Sequence, residues 1–313
     1  MSITDNNKII IKVCKCYFED GLSQKEISAK LSISRPQISR ILAYAKANNI
    51  VSVKINDPFE NESELEYKIA NKFGLADVVV LNTSGFEEGE AFHEFARRAA
   101  EQLEAYVPDN SVVGVMSGHT LSEIVKEITH IDRKNISVVP LVGGDGNNGS
   151  DWHANVIAQN FAKKSGGKYY FLNAPVIMGN SAAAALLKNE PSIQEVLKMG
   201  KSCDVTIIGI GTIDRNSTSG QASHLTIEEA NELKKNGAIA AACVSYINQE
   251  GGFVQSEITE RLIGQTLKDL EKSKTIALAT GITKAEAIRA TLNTKCIDIL
   301  FTDLETALKI IQE

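Results

Sequence analysis

The stretch SQKEISAKLSISRPQISRILAYAK, residues 23–46, has the pattern of two short helices joined by a tight turn. Ser23 and Glu26 have the S-x-x-E spacing of a capping box, which predicts that the first helix begins there. Ser34 and Gln37 repeat the spacing as S-x-x-Q and predict the start of a second helix. Two capped helices this close together predict a helix-turn-helix.

Apolar and polar residues of this stretch fall on opposite faces of the two predicted helices. The inward positions are apolar: Ile27, Leu31, Ile33, Ile38, Ile41 and Leu42. The outward face of the second helix carries Arg35, Gln37, Ser39 and Arg40. Arg can form two hydrogen bonds with guanine, and Gln can do so with adenine. We therefore predict a DNA recognition helix over about residues 35–46, although an ordinary helical hairpin would give a similar pattern.

The flanking residues complete a small domain around this motif. Residues 6–19 predict a supporting helix, and Ser32 occupies the turn position where Gly is more usual. Lys46, Lys54 and Ser39 are expected to contact phosphates. Val51, Val53 and Ile55 alternate with polar residues, which predicts a short strand that is either a wing beside the DNA or a step towards the linker. Asp57-Pro58 marks the domain boundary.

Charge is distributed unevenly along the 313 residues. Residues 1–57 carry nine Lys/Arg and five Asp/Glu, whereas the whole chain has a net charge of −6. A basic first segment on an acidic body is typical of a nucleic-acid-binding module joined to another domain. We therefore predict two domains, a helix-turn-helix domain over 1–57 and a larger domain over 58–313.

The composition also indicates the compartment. No apolar run approaches the roughly 20 residues that span a bilayer, and the first residues, MSITDNNK, lack the pattern of a signal peptide. We expect a cytoplasmic protein without a membrane partner. The five Cys are odd in number and scattered, which favours reduced packing cysteines over a zinc site. No metal or cofactor is expected.

Strands and helices alternate from residue 63 to the end of the chain. A helix over 63–73 is predicted to begin at Ser63, capped with Glu66. The predicted strands are 76–81, 111–116, 136–142, 169–177, 204–210, 238–247, 275–280 and 296–302. Amphipathic helices are predicted over 87–106, 151–164, 226–236, 284–293 and 303–312. Several strands are continuous apolar runs, so we predict an α/β fold with a doubly wound, mostly parallel, Rossmann-like sheet.

Ligands of such sheets bind outside the carboxyl ends of the strands. Four of these ends are rich in Gly and polar residues: 116–120, 143–146, 209–212 and 280–284. Thr120 with Glu123, and Thr283 with Glu286, have capping-box spacing and predict helix starts. Lys284 would lie in a first helical turn, where it opposes the helix dipole, so it is better explained as a ligand of a phosphate or carboxylate.

These turns predict a site for an anionic small molecule, although each turn alone could be a plain strand-to-helix connection. No P-loop, GxGxxG, GxSxG or HExxH motif occurs. His119, His153 and Asp145 could form an acid–base group, but isolated histidines more often bind or pack. We therefore expect no catalytic residues and no enzyme.

The chain resembles the SorC family of sugar-binding transcriptional regulators, which includes the deoxyribonucleoside regulators of Gram-positive bacteria. The motifs that carry the resemblance are YFEDGLSQKEISAKLSISRPQISRILAYAK (17–46), VVGVMSGHTL (112–121), VVPLVGG (138–144), IIGIGT (207–212), ERLIGQTL (260–267), ATGITKAEAIRATLN (279–293) and LFTD (300–303). The resemblance implies a winged helix-turn-helix domain, an effector domain related to phosphosugar isomerases, sugar-phosphate effectors, and tetramers built from dimers.

The resemblance also assigns an effector pocket by position. Its residues would be Gly118, His119, Thr120, Gly144, Gly211, Thr212, Asn248, Gly281, Lys284 and Asp303. Three positions depart from the family pattern: Ser117 replaces a Trp, Asn248 replaces an Asp, and Val142 stands where some members carry a Lys that can form an imine. A non-covalent ligand is therefore expected.

Together these observations predict a transcriptional regulator of a sugar-catabolic operon, and more specifically a repressor. Its partners would be double-stranded operator DNA, a sugar or sugar phosphate, and further copies of the chain in a dimer or tetramer. The alternatives are an isomerase-type enzyme acting on phosphosugars with an accessory helix-turn-helix domain, and a DNA-binding protein whose large domain only assembles oligomers.

Overall fold

The computed structural model describes residues 7–52, 59–144, 151–214 and 225–312. The chain divides into two compact units, Met1–Pro58 and Phe59–Glu313. Most of the predicted wing strand, with Val53, Lys54 and Ile55, lies outside the described residues, and so do Asp145 and Gly146 of the second Gly-rich turn.

The first unit contains three α-helices around a small apolar core. They are α1 (Asn7–Cys14), which continues as a π-helical turn over Lys15–Glu19, α2 (Gln24–Leu31) and α3 (Arg35–Ala47). The core is formed by Ile10, Val13, Cys14, Cys16, Ile27, Ile38, Ile41, Leu42 and Ala45. All three helices contribute to this cluster, so burial of their apolar faces holds them together. The predicted supporting and recognition helices are both present.

Both capping boxes at the helix-turn-helix form as predicted. The Ser23 N–H donates to Glu26 Oε2 at 2.8 Å, and the Glu26 N–H donates to Ser23 Oγ at 3.3 Å. The Ser34 N–H and hydroxyl donate to Gln37 Oε1 at 3.2 and 2.8 Å. Between the helices, Ser32 takes the left-handed conformation with φ 51° and ψ 37°. The tight turn therefore depends on a residue that has a Cβ in a conformation that favours Gly.

The second unit is built on a seven-stranded parallel sheet. Its strands are β1 (Asp77–Leu81), β2 (Val112–Val115), β3 (Ser137–Pro140), β4 (Lys168–Tyr169), β5 (Val205–Gly209), β10 (Lys274–Leu278) and β11 (Ile299–Asp303). Their order is β1-β11-β10-β5-β2-β3-β4, and every pair is parallel. The predicted Rossmann-like sheet is thus confirmed.

Helices cover this sheet and bury an apolar cluster on each face. The helices are α4 (Glu60–Phe73), α5 (Glu88–Leu103), α6 (His119–Glu127), α7 (Ala154–Ser165), α8 (Ser181–Asn189), α9 (Pro191–Lys201), α10 (Ile227–Lys235), α11 (Glu257–Glu260), α12 (Ala285–Asn293) and α13 (Leu304–Ile311). Helices α8, α9 and α11 were not among the predicted helices. No described helix is long and apolar enough to cross a membrane.

The prediction of one strand over 238–247 is wrong. This segment forms two short antiparallel strands, β7 (Ala240–Ala242) and β8 (Ser245–Ile247). The chain reverses at Cys243, whose φ is 52°. With β6 (Gly211–Thr212) and β9 (Phe253–Val254), these strands form a second, four-stranded sheet. The turn escaped prediction because Cys243 and Val244 are not the residues that usually mark a turn.

The prediction of a long strand over 169–177 is also wrong, because only Lys168 and Tyr169 pair with β3. Beyond them Leu172 and Ala174 are buried in a separate cluster with α8 and α9. Their apolar character therefore reflects packing against helices and not a place in the sheet.

The helix after the linker begins at Glu60 instead of Ser63. Glu66 does not cap it, since its Oε1 accepts a hydrogen bond from the Val80 N–H of β1 at 2.9 Å. The S-x-x-E spacing of Ser63 and Glu66 therefore does not mark a cap, and Glu66 instead joins helix α4 to strand β1 by a hydrogen bond.

Candidate functional site

An open cleft of about 650 Å³ lies at the carboxyl edge of strands β1, β11 and β10. One wall comes from the loop after β1 and the start of α5, with Thr83, Ser84, Gly85, Phe86, Ala91 and Phe92. The other comes from the turns after β10 and β11, with Thr280, Gly281, Ile282, Thr283, Lys284, Asp303 and Glu305. The volume is in the range of small-molecule sites, and the position is where open parallel sheets bind their ligands.

Lys284 provides the positive charge of this cleft. It lies at the junction of a 3₁₀ turn, Ile282–Lys284, and helix α12. The side chain is half-buried, and burial lowers the pKa of its ammonium. In the part of the chain that the structure describes, no carboxylate forms an ion pair with it. A desolvated cation without a counter-ion favours an anionic ligand, since such a ligand would restore the lost stabilisation.

Asp303 braces the turn that carries Lys284. Its Oδ2 accepts hydrogen bonds from the Thr280 hydroxyl, from the Gly281 N–H at 3.1 Å and from the Thr306 hydroxyl. Its Oδ1 accepts from the Thr306 N–H at 2.8 Å and so caps α13. Gly281 has a φ of 111°, which a residue with a Cβ rarely adopts. The carboxylate is therefore engaged in holding the shape of the turn.

The first Gly-rich turn places His119 at the start of α6, beyond the carboxyl end of β2. The side chain is exposed. Partial burial lowers its pKa, and the charges of Lys126 and Lys284 act in the same direction while Glu123 opposes them. His119 does not itself line the cleft of Lys284.

The two threonine capping boxes predicted at these turns do not form. Helix α6 has Gly118 at its N-cap, so Thr120 is already inside the helix, where it is buried. Helix α12 follows Lys284 at its N-cap position, and Thr283 lies in the preceding 3₁₀ turn. Thr283 is exposed and lines the cleft, so its hydroxyl is not occupied by capping.

Trp152 lies beside the first turn, although sequence reasoning did not select it. Its ring centroid is 5.5 Å from that of His119 and 4.3 Å from that of His153. The Gly118 N–H donates to its carbonyl at 2.9 Å. His153 is buried, and within the described residues its Nδ1 has no hydrogen-bond partner. Gly144 packs nearby, since a Cβ there would be 3.5 Å from that nitrogen.

Gly144, Gly211 and Thr212 do not line the cleft with Lys284. The Gly144 N–H donates to the Ala174 carbonyl at 2.7 Å. Gly211 and Thr212 form β6, which pairs with β7 in the small sheet. Thr212 lines a separate, mostly apolar pocket together with Met116, Ser117 and Val142. Of the predicted pocket residues, Gly281, Lys284 and Asp303 line the cleft and Thr212 lines this second pocket, whereas the others line neither.

Asn248 is placed away from Lys284. It lies in the turn between β8 and β9, where its Oδ1 accepts from the Gly252 N–H at 2.6 Å. Gly251 of that turn packs against Asn293, at the last residue of α12. Lys284 precedes the first residue of the same helix, and nine helical residues rise about 13 Å. The structure therefore does not bring Asn248 and Lys284 together.

The outward face of α3 presents the predicted DNA-contacting residues. Arg35, Ser39, Arg40 and Lys46 are exposed, and Gln37 is half-exposed. The Arg40 Nε donates weakly to the Pro36 carbonyl at 3.4 Å, and Lys46 Nζ lies 6.0 Å from the centroid of the Phe18 ring. Because Gln37 Oε1 is used in the cap, only its amide N–H groups remain for an external partner.

Comparison with known proteins decides the class. Residues 57–312 match the family described as "Putative sugar-binding domain". The chain belongs to this family. The deoxyribonucleoside regulator of Bacillus subtilis is 27% identical to this chain over 310 residues, covering 99% of each chain. The sorbitol operon regulator of Klebsiella pneumoniae is 23% identical over 310 residues, covering 98% of each.

Solved structures agree with the family assignment. A DeoR family transcriptional regulator from Listeria monocytogenes is 28% identical, with a TM-score of 0.73 over 80% of this chain and 99% of that one. Full-length SorC from Klebsiella pneumoniae has the same fold, with a TM-score of 0.76 over 98% of this chain and 99% of that one at 23% identity. The resemblance to the SorC family is confirmed. The predicted class, a sugar-responsive transcriptional regulator and not an enzyme, is confirmed by these relatives.

One wall of the cleft was missed from sequence. The loop after β1 contains Thr83, Ser84 and Gly85, a small and polar run directly after an apolar strand. That is the same signal that selected the other four turns.

Proposed function

We propose that the protein is a repressor that binds operator DNA through α3 and is controlled by a sugar phosphate held non-covalently in the cleft beside Lys284. The observation that supports it most is the half-buried Lys284 ammonium, which has no carboxylate partner among the described residues. Thr283 and the first N–H groups of the 3₁₀ turn, at Ile282 and Thr283, precede it in the same wall. This grouping of donors suits a phosphate group.

The relatives support a sugar as the rest of the ligand. The two relatives described above are named a deoxyribonucleoside regulator and a sorbitol operon regulator. A third is an erythritol catabolism regulatory protein from Brucella abortus. Thr83, Ser84 and Thr280 add hydroxyl groups around the cleft for hydrogen bonds to a sugar. A non-covalent ligand is consistent with Val142, because its side chain cannot form an imine.

The ligand-binding residues in this proposal have three different roles. Lys284 and Thr283 contact the phosphate directly. Gly281 and Asp303 shape the turn that presents them, as the hydrogen bonds of Asp303 require. His119, with Gly118 and Thr120 behind it, borders the site on the β2 side, where the Lys284 charge already acts on its imidazole. Gly144, Gly211, Thr212 and Asn248 do not line the cleft and have no role in this proposal.

Control of DNA binding would operate through an assembly of at least two chains in the cytoplasm. Two copies of α3 read the half-sites of a near-palindrome in successive major grooves, with Arg35, Gln37 and Arg40 at bases and Ser39 and Lys46 at phosphates. A dimer suffices for this geometry, and a tetramer provides two such pairs. The sugar phosphate changes operator affinity only by as much as it binds the two arrangements of the subunits differently.

The test combines ligand binding with operator binding. Thermal unfolding of the full chain is measured with a panel of sugar phosphates, their neutral sugars and inorganic phosphate. A ligand at a hundredfold excess over its dissociation constant stabilises the protein by about 2.7 kcal/mol. The stabilising compound is then titrated into the protein bound to fluorescent DNA from its own promoter region, and release is followed by anisotropy.

The matched variants are Lys284→Met and Lys235→Met. Lys235 is an exposed lysine of α10 that does not line the cleft. We expect the Lys284 variant to lose the thermal shift and the release of DNA, and the Lys235 variant to keep both. A neutral sugar that stabilises both variants equally would overturn the assignment of Lys284 to a phosphate.

A further inference from the structure

The cleft wall opposite Lys284 contains two phenylalanines besides the polar residues Thr83 and Ser84. Phe86, in the loop after β1, leaves 45% of its surface exposed, and Phe92 follows in the first turns of α5. Ala91 lies between them in the same wall. An exposed phenylalanine leaves apolar surface in water. Where that surface lines a cleft beside a cation, it suits a ligand that is apolar on one side and anionic on the other.

This wall is held in place by hydrogen bonds behind it. Arg98 of α5 donates from Nη1 to the Asn82 carbonyl at 2.9 Å and from Nε to Glu94 Oε1 at 2.6 Å. The Asn82 Oδ1 accepts from the Ser84 N–H at 3.0 Å. The loop is therefore tied to α5 at its first residues, and the aromatic side chains beyond them face the cleft from a supported backbone.

The chemistry of the wall distinguishes two kinds of sugar phosphate. Phe86, Ala91 and Phe92 have no side-chain hydrogen-bond groups, so a ligand hydroxyl pressed against them would lose its water without a replacement. A closed sugar ring can turn a face of C–H groups to an aromatic ring. An open-chain polyol phosphate carries hydroxyls along its whole length and also loses more rotational freedom on binding.

We propose that Phe86 and Phe92 make this protein selective for a sugar phosphate in its ring form over the open-chain polyol phosphate with the same number of carbons. The phosphate end lies at Lys284 and Thr283, and the ring packs against the two phenylalanines across the cleft. This inference rests on the proposed function, because it assumes the phosphate position at Lys284.

The experiment uses two matched ligand pairs with the full chain. Dissociation constants are measured by calorimetry for ribose 5-phosphate against ribitol 5-phosphate and for glucose 6-phosphate against sorbitol 6-phosphate, with inorganic phosphate as the reference. We expect the better-bound aldose phosphate to bind roughly fivefold to tenfold more tightly than its polyol partner, the size of an aromatic packing effect. Phe86→Ser, at an exposed position, should shrink that ratio while leaving inorganic phosphate binding unchanged.

Two further variants separate the wall from general effects. Phe86→Tyr keeps the aromatic face and should keep the ratio. Phe171→Ser removes an equally exposed phenylalanine that does not line the cleft and should also keep it. A ratio near one in the parent chain, or a ratio that Phe86→Ser and Phe92→Ser leave intact, overturns the inference while the phosphate site stands.

The remaining outcomes are equally decisive. If inorganic phosphate binds in a Lys284-dependent way but no sugar phosphate binds more tightly, the wall contributes nothing and the inference fails alone. If neither phosphate nor any sugar phosphate binds, the proposed function fails and the inference fails with it.

Discussion

The proposed ligand site depends more on the side chain of Lys284 than on any other single residue. Sequence alone singled it out because a lysine in a first helical turn opposes the helix dipole. The structure adds that its ammonium is partly desolvated and lacks an ion-pair partner within the described ranges. It could not be foreseen that Asp303, from another strand, is engaged with the backbone of the same turn and leaves the lysine charge uncompensated.

The pKa of Lys284 predicts how ligand affinity depends on pH. Burial lowers this pKa below the usual 10.5 in the free protein, whereas a bound phosphate raises it. Binding is therefore strongest while the lysine is protonated, and affinity should fall as pH rises through the lowered pKa. Calorimetry across alkaline pH measures this decline. Lys284→Arg should flatten it, because the guanidinium stays charged over the whole range. An identical decline in both proteins would assign the titration to another group.

The backbone conformation of Ser32 leads to a prediction about the stability of the first unit. Its left-handed conformation costs a residue with a Cβ about 1 kcal/mol, and Gly avoids most of that cost. Ser32→Gly should therefore raise the free energy of unfolding of the first unit by about 1 kcal/mol in urea titrations. The same replacement at Ser39, on the exposed face of α3, should lower it by about as much, since Gly is unfavourable within a helix. Equal signs at the two positions would contradict the turn geometry.

At the scale of elements, the sequence predicted strands correctly where a run of apolar residues had a single physical cause, burial within the sheet. Strands of the large sheet were predictable because strands buried on both faces read as continuous apolar runs, as in β1 and β10. The β7–β8 hairpin was not, because its reversal at Cys243 carries no turn residue. Likewise, the position of Asn248 depends on that hairpin, so its separation from Lys284 could not be read from local sequence.

In the proposed function, helix α3 makes two kinds of contact with DNA, to bases and to phosphates, and these should respond differently to mutation. Arg35→Ala should cost roughly 1–3 kcal/mol of operator affinity and relax selection at one base pair. Lys46→Ala should weaken all DNA sequences alike and reduce the slope of log affinity against log salt by about one. Both are measured by anisotropy over a range of salt, with single-base operator variants. The assignment is wrong if Arg35→Ala leaves base preference unchanged or if the two variants behave alike.

At the scale of the whole molecule, the first segment of the chain is basic and the remainder is acidic. Residues 1–57 carry nine Lys/Arg against five Asp/Glu, a balance that would attract the first unit to DNA. In the proposed function a single α3 reads only a few base pairs, so we expect two copies on one operator.

Spacing of the half-sites tests that arrangement. Inserting about five base pairs between them turns one half-site to the opposite side of the DNA, and about ten base pairs restore its facing. We expect the first insertion to abolish tight binding by the full chain and the second to recover part of it, as seen by anisotropy and footprinting. Equal binding to all three operators would show that each chain binds alone.

The pairing of β1 with β11 has a consequence for synthesis of the protein. Asp77 pairs with Ile299 and Leu81 with Asp303, so the first and last strands of the second unit meet at its edge. Among the described residues, the buried core of the first unit, in contrast, comes from positions between Ile10 and Ala45. On the ribosome, the DNA-binding helices can pack early, whereas the ligand cleft cannot close until the last strand has emerged. A chain cut short before β11 would retain the three helices of the first unit and Lys284 itself, but it would lose Asp303 and with it the hydrogen bonds that hold the turn at Gly281.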